Sequence, residues 1–346
     1  MSLRFKHAHP RPIEDVEKLE RYRRGGYHPI YVGDMLNNRN KMIDKLGHGT
    51  FSTIWLSRNE RKTAYVAVKV STEDASTHEA NILRMLKDCC LAHTNGRPLI
   101  PVILEGFEIE GPNGHHQCNI TASTKSSVSA ALFYCYSHIE TAHVLTAKLA
   151  LAVAYSHAQG YIHGDIHLGS ILIHLPTSFG KLTIEDFYEQ LGKRADGIPP
   201  DEAQIPLSDS GESFSPPDPE QWRRGQNSLF HLDIRRLACA MDSIFRLRWL
   251  FDATLANADD VAFQQVDKCH KYFEDIKRHQ KNRFVFPSLE QNFEENIQAT
   301  RQRANMSSFD KEKMAIFSML CSMLAMKPEK RTKATDVLSS DWVVTW

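Results

Sequence analysis

Three groups of residues could do chemistry. Lys69 sits inside the apolar run Tyr65-Val66-Ala67-Val68-Lys69-Val70. An ammonium group in such a strand is costly unless paired, and a phosphate together with a helix carboxylate would pair it. Glu79 is the carboxylate best placed for this, with Glu73 as competitor; a solvent-facing acid is the alternative reading. Leu46-Gly47-His48-Gly49-Thr50-Phe51-Ser52-Thr53 lies between two candidate strands. Glycines spaced this way let a hairpin backbone approach phosphates closely, although a tight β-turn alone explains them equally well. The third group is Tyr161-Ile162-His163-Gly164-Asp165-Ile166-His167-Leu168-Gly169-Ser170-Ile171-Leu172-Ile173, a polar loop around Asp165 that runs into an apolar triplet.

Regular elements must hold these groups in place. Met42–Leu46, Thr53–Ser57 and Tyr65–Val70 read as strands, rich in β-branched and apolar residues. His78–Leu86 reads as a helix with Ile82, Leu83 and Leu86 on one face. A longer helix is expected over Leu145–Gln159, with Gly160 ending it. Asp233–Phe245 and Met314–Leu324 repeat apolar residues at three- and four-residue spacing. A β-rich part followed by a helix-rich part predicts an α+β fold of two lobes. The expected division is an N-terminal extension over 1–39 that packs late or loosely, a small β-rich lobe over 40–121, and a larger helical lobe over 122–346. An insertion is expected at about 176–204.

The 346 residues are too many for one small core. Lys plus Arg and Asp plus Glu are both 42, so no global charge draws the chain to nucleic acid or a membrane surface. The basic run Arg21-Tyr22-Arg23-Arg24 reads as a solvated arm rather than a binding patch. The seven cysteines form no Cys-x-x-Cys pair and read as reduced thiols of an intracellular protein, in the cytoplasm or nucleus. Met1–His7 has no apolar core of the kind a secretory signal carries. The apolar stretch Leu145–Tyr155 is too short for a bilayer and is interrupted by Lys148.

The order Gly-x-Gly-x-x-Ser (47–52), Ala-x-Lys (67–69), Glu79, His-x-Asp (163–165) and Lys327-Pro328-Glu329-Lys330-Arg331-Thr332 resembles the eukaryotic protein kinases. More narrowly, Gly25-Gly26-Tyr27-His28-Pro29 and Phe51-Ser52-Thr53-Ile54-Trp55-Leu56 resemble the SR-protein kinases, their divergent fungal members especially. The resemblance covers residues 20–346 and implies a two-lobed protein-kinase-like fold. It implies ATP and Mg2+ as cofactors. Lys69 would hold the α- and β-phosphates, Glu79 would orient Lys69, and Asp165 would accept the proton of a substrate hydroxyl. Leu46, Gly47, His48, Gly49, Thr50, Phe51, Ser52, Ile54, Ala67 and Thr121 would line the nucleotide site. Aminoglycoside- and choline-type kinases also carry a His-Gly-Asp loop. Against them stand Asp233-Ile234-Arg235-Arg236, which resembles the helix whose Asp braces the protein-kinase catalytic loop, and Glu220 with Arg331, which resembles a buried ion pair of that family.

Two aspartates compete for magnesium. Lys181–Gly192 reads as a complete short helix, with Thr183 as N-cap, Asp186 in its first turn and Leu182 and Phe187 as a staple. A metal loop should not have those features. Ile205-Pro206-Leu207-Ser208-Asp209-Ser210-Gly211 instead offers a short apolar run, an aspartate and a freeing glycine, so Asp209 is preferred. Four departures mark the chain: Gly164 in place of an arginine, Ser170 in place of the second metal ligand, Ser210 in place of a phenylalanine, and a short segment between Asp209 and Glu220. The resulting expectation is a serine/threonine protein kinase acting, as a monomer, on a protein substrate, with Arg/Ser-rich peptides the class the resemblance suggests. A pseudokinase of the same fold is the alternative.

Overall fold

The computed structural model describes residues 17–88, 94–132, 138–192, 205–215, 229–245, 287–325 and 327–345. The chain divides into two compact units: Met1–Thr77 with Ile103–Ser123 and Thr177–Phe187, and His78–Val102 with Thr124–Pro176 and Tyr188–Trp346. The first is β-rich and the second helical, which is the α+β, two-lobed organisation expected.

The first unit is built on β1 (Met35–Leu36), β2 (Asn40–Gly49), β3 (Ser52–Asn59), β4 (Ala64–Ser71), β5 (Glu105–Gly111) and β6 (Gly114–Ala122). They form one antiparallel sheet in the order β1-β2-β3-β4-β6-β5. Side chains alternate across a strand, so β4 sends Val66, Val68 and Val70 to one face. There they pack with Ile30, Met42, Trp55, Cys118 and Ile120. Ala67 and Lys69 take the opposite face. Register shifts in β2 fall between Met42 and Asp44 and between Lys45 and Gly47, so the strand bends just before its glycines.

The extension does not pack loosely from residue 17 onward. Tyr27 and Ile30 are buried, and Ile30 belongs to the sheet core. An apolar Ile30 and an aromatic Tyr27 gain more by burial than the polar residues around them lose by being ordered.

In the second unit, α1 (His78–Asp88) and α2 (Ile139–Ala158) match the expected helices, with α2 starting earlier than its apolar pattern indicated. Gly160 at φ +81° donates to the His157 carbonyl (3.0 Å) and ends α2 as a left-handed glycine. A small sheet pairs β7 (Thr124–Ser127) with β8 (Leu172–His174). α3 (Ile184–Gly192) starts within the Thr177–Phe187 stretch of the first unit, and α4 (Phe230–Phe245), α5 (Lys313–Met323) and α6 (Asp341–Thr345) belong to the second. Trp342 of α6 is fully buried, donates to Thr146 Oγ1 (2.9 Å), and meets Phe245 and Phe309 edge-on. That ring cluster fixes α2, and α2 feeds directly into the Asp165 loop. Cys118, Cys239 and Cys321 are free thiols. Among the described residues no helix is long and apolar enough to cross a membrane.

Candidate active site

Asp233, in the first turn of α4, anchors the Asp165 loop. Its carboxylate is wholly buried. It accepts from the backbone N–H of His163 (2.7 Å) and of Gly164 (2.9 Å), and from His157 Nε2 (2.9 Å). Burial by itself would raise this carboxyl's pKa. The His157 bond and charge and the two backbone donors outweigh burial and hold it below the usual aspartate value. The brace inferred from sequence is therefore a three-donor site.

The His163 ring ties two segments together. Its Nδ1 accepts from Asp165 N–H (3.3 Å), so its Nε2 carries the proton and donates to the Ser208 carbonyl (2.9 Å). Burial pushes this imidazole below its ordinary pKa, against the pull of Asp233, in keeping with a neutral ring. Ser208 N–H donates to the Ser170 carbonyl (2.7 Å) and Leu172 N–H to that of Pro206 (3.1 Å). The segment carrying Asp209 thus runs beside the segment following Asp165. Asp209 adopts a left-handed backbone (φ 64°, ψ 52°), which aspartate tolerates better than most residues. One ligand atom each from Asp165, His167 and Asp209 lies within 4.8 Å of the others.

Asp186 belongs to the first unit. α3 begins where Thr183 caps it, with Asp186 N–H donating to Thr183 Oγ1 (3.1 Å) and Thr183 Oγ1 donating to the Asp186 carboxylate (2.8 Å). Phe187 packs on the rings of Tyr65 and Phe179, with centroids 4.3 and 5.6 Å away. The capped helix read from sequence is present.

Two groups beside Asp165 escaped the sequence reading. His167 Nε2 is 3.6 Å from Asp165 Oδ2, and Arg236 Nη1 is 3.7 Å from Oδ1. Arg236 follows Asp233 by three positions on α4, a spacing that puts both on the loop side of the helix and could have flagged it. His167 Nδ1 accepts from Gly169 N–H (3.0 Å). Its Nε2 therefore bears hydrogen and faces the carboxylate as a donor, not as a metal ligand.

Ser170 is used differently from the expected metal ligand. Its hydroxyl is buried, donates to the His167 carbonyl (2.8 Å) and accepts from His167 N–H (3.1 Å). It clasps the loop, and only one lone pair remains for anything else. Gly164 has a physical reason to be glycine. It lies at φ +80°, and a Cβ there would stand 2.6 Å from the Glu212 carbonyl oxygen. Ser210 is buried in the turn Ser210–Glu212. Glu220 lies outside the described residues; Arg331 donates to the carbonyls of Ala325 (2.7 Å) and His231 (2.9 Å).

In the first unit, the register lines up the predicted nucleotide residues. Gly47 pairs with Ile54, Ile54 with Lys69, and Lys69 with Asn119. Ala67 pairs with Thr121 in the neighbouring row. Cross-strand partners share a face, so Gly47, Ile54, Lys69, Ala67 and Thr121 all lie opposite the valine core. Leu46 and Phe51 are exposed, Ser52 is buried, and His48, Gly49 and Thr50 form the exposed tip. Glu73 rests its carboxylate against Gly114 at the β5–β6 turn. Glu79 is half-buried in the first turn of α1, in the second unit.

No family model matches the chain. Curated protein kinases are similar to parts of it. Serine/threonine-protein kinase spk-1 of Caenorhabditis elegans is 30% identical over 168 residues, 46% of this chain and 17% of its own length. Protein kinase dsk1 of Schizosaccharomyces pombe is 32% identical over 168 residues, 45% of this chain and 30% of its own. SRSF protein kinase 3 of Homo sapiens is 33% identical over 112 residues, 31% of this chain and 20% of its own. Over these stretches the chain is similar to kinases of the SR-protein type. The matches span less than a third of each relative's length.

Proposed function

We propose that the chain is a serine/threonine protein kinase that uses Mg-ATP. The reading rests above all on Asp165 and Asp209, which one neutral imidazole, His163, holds beside each other. Asp165 accepts the proton of the substrate hydroxyl. His167 and Arg236 flank its two oxygens and orient them. Asp209 supplies carboxylate oxygen for the metal; with His167 acting as a donor, the ligands on offer are hard oxygens of the kind magnesium takes. Ser170, as second metal ligand, would contribute only its remaining lone pair. Lys69 holds the α- and β-phosphates and Glu79 orients it.

The first unit fits a nucleotide. A Cβ at Gly47 would meet nothing within 4 Å, so that face of the hairpin is open. Asn119 Oδ1, in the Lys69 row, is buried without a hydrogen-bond partner among the described residues. When bound, ATP supplies the phosphoryl group and magnesium offsets the charge that develops on it. The lobes are taken as 40–121 and 122–346 with the insertion at 176–204. The substrate is a protein, with Arg/Ser-rich peptides the first class to try. The enzyme works as a monomer, without nucleic acid or membrane, in the cytoplasm or nucleus.

The test is phosphoryl transfer from ATP to an Arg/Ser-rich peptide, with and without magnesium. Turnover should require the metal and should fall roughly 10²–10⁴-fold in an Asp165→Asn protein whose ATP affinity is nearly unchanged. Equal turnover in both proteins would overturn the assignment.

A further inference from the structure

The basic run that reads as a solvated arm is split by the fold. Arg23 and Arg24 are exposed, and no side-chain hydrogen bond or ion pair joins them to another described residue. Arg21 turns inward. Its Nη1 donates to the Thr50 carbonyl (2.6 Å), and its Nη2 meets both oxygens of Asp74 (3.1 and 3.3 Å). Its guanidinium lies over the rings of Tyr27 (5.3 Å) and Phe51 (5.4 Å). Tyr27 Oη, on a buried ring, donates to the Gly49 carbonyl (2.7 Å) and also lies 3.2 Å from that of Thr50. Thr72 N–H donates to the Phe51 carbonyl (2.9 Å).

Three consecutive carbonyls at the hairpin tip are therefore tied, those of Gly49 and Thr50 both from the side of Tyr27. In a trans peptide the N–H points opposite to the C=O. Fixing the Gly49 and Thr50 carbonyls aims the N–H groups of Thr50 and Phe51 the other way. Neither N–H donates a hydrogen bond among the described residues. Two free, parallel backbone donors on a glycine hairpin suit phosphate oxygens.

The clamp itself is well founded. Gly26 lets the chain cross itself, since a Cβ there would run into the Arg21 carbonyl. Asn113 holds the segment from the β5–β6 turn, with its carbonyl accepting Gly25 N–H (2.9 Å) and its Nδ2 donating to the Tyr27 carbonyl (2.6 Å). Gly25 returns a bond by accepting Asp74 N–H (3.2 Å).

We propose that Arg21 and Tyr27 are positioning residues that hold the tip of the glycine hairpin in its phosphate-accepting form and so set nucleotide affinity. This rests on the reading that the hairpin takes the phosphates of Mg-ATP. Without the clamp, binding must order the tip, and affinity drops by that ordering cost.

The experiment compares wild type, Tyr27→Phe, Arg21→Ala and Arg21→Lys, with Arg23→Ala and Arg24→Ala as controls. Calorimetry with Mg-ATP gives Kd, peptide assays give KM for ATP and kcat, and hydrogen exchange reports the tip amides without nucleotide. Tyr27→Phe and Arg21→Ala should each raise Kd and KM by roughly 3–10-fold, the worth of one net hydrogen bond, with kcat within about twofold. Tip amides should exchange faster, Arg21→Lys should fall between Arg21→Ala and wild type, and the controls should match wild type. Unchanged Kd and KM in Tyr27→Phe, or a loss of kcat and melting temperature at constant KM, would overturn the proposal. Wild type that binds no Mg-ATP would instead overturn the kinase reading on which it rests.

Discussion

Replacing Asp233 should uncouple the catalytic loop from its helix. The carboxylate is fully buried and accepts three donors, two of them backbone N–H groups with nowhere else to turn. A hydrogen bond to a charged group contributes about 1.5–3 kcal/mol, and a buried donor left unpaired costs about 1–3 kcal/mol. The terms do not add in full, so Asp233→Ala should lose on the order of 3–5 kcal/mol. Asp233→Asn keeps an acceptor oxygen but sets an NH2 group against one of the donors, and should lose about 2 kcal/mol. Urea midpoints should fall in the order wild type, Asn, Ala, and the amides of His163 and Gly164 should lose exchange protection. The pH response has a definite sign. The folded carboxyl titrates below its unfolded value of about 3.9, so its contribution is fully present above that pH and disappears as pH falls through the folded value. The Asn protein lacks this acid-sensitive contribution, so its gap from wild type should narrow below about pH 4. A loss under about 1 kcal/mol for both variants, or a gap that widens in acid, would refute the three-donor account.

Gly164→Ala should destabilise the chain by at least about 1–2 kcal/mol from the left-handed backbone alone, with the approach to Glu212 adding to it; thermal melting measures this. Asp209→Ala should abolish magnesium-dependent ATP binding, while Asp186→Ala should cost only about 0.3–1 kcal/mol of helix stability; the reverse pattern in calorimetry would move the metal site to α3. Ser170→Ala should cost roughly 1–3 kcal/mol, because the N–H and carbonyl of His167 lose their shared partner, and a urea midpoint equal to wild type would count against the clasp.

Much of the fold was legible because its signals are local. Alternation in Tyr65–Val70 gave a strand and its two faces, and Gly160 marked the end of α2. The distinction between Asp186 and Asp209 was also local, since a capped helix announces itself through Thr183 and its first-turn acids. What stayed hidden depends on pairs far apart in sequence. Nothing near Arg21 says that its guanidinium meets the Thr50 carbonyl and Asp74. Nothing near Ser170 says that its hydroxyl is spent on His167 rather than facing outward, because a serine's partners follow from loop geometry and not from its type. His167 and Arg236 were missed for a related reason: the acid drew attention, and the groups around it come from the loop's own turn and from another helix.

The departures around Asp165 are linked by geometry. Glu212 passes so close to Gly164 that no side chain fits between them. The same passage lets Phe214 and Ile162 exchange backbone hydrogen bonds (2.9 and 3.0 Å) and lets Ser213 Oγ donate to the His163 carbonyl (3.0 Å). A segment bound this closely needs neither a long side chain at 164 nor a ring at 210 to hold it, since main-chain bonds already fix Asp209 beside Asp165. Ser170 fits the same economy, because a small hydroxyl closes the loop from within and leaves its carbonyl free to take Ser208 N–H. Gly164 and Ser170 thus act together: a side chain at 164 would meet the Glu212 carbonyl, and loss of the hydroxyl at 170 would open the loop at His167.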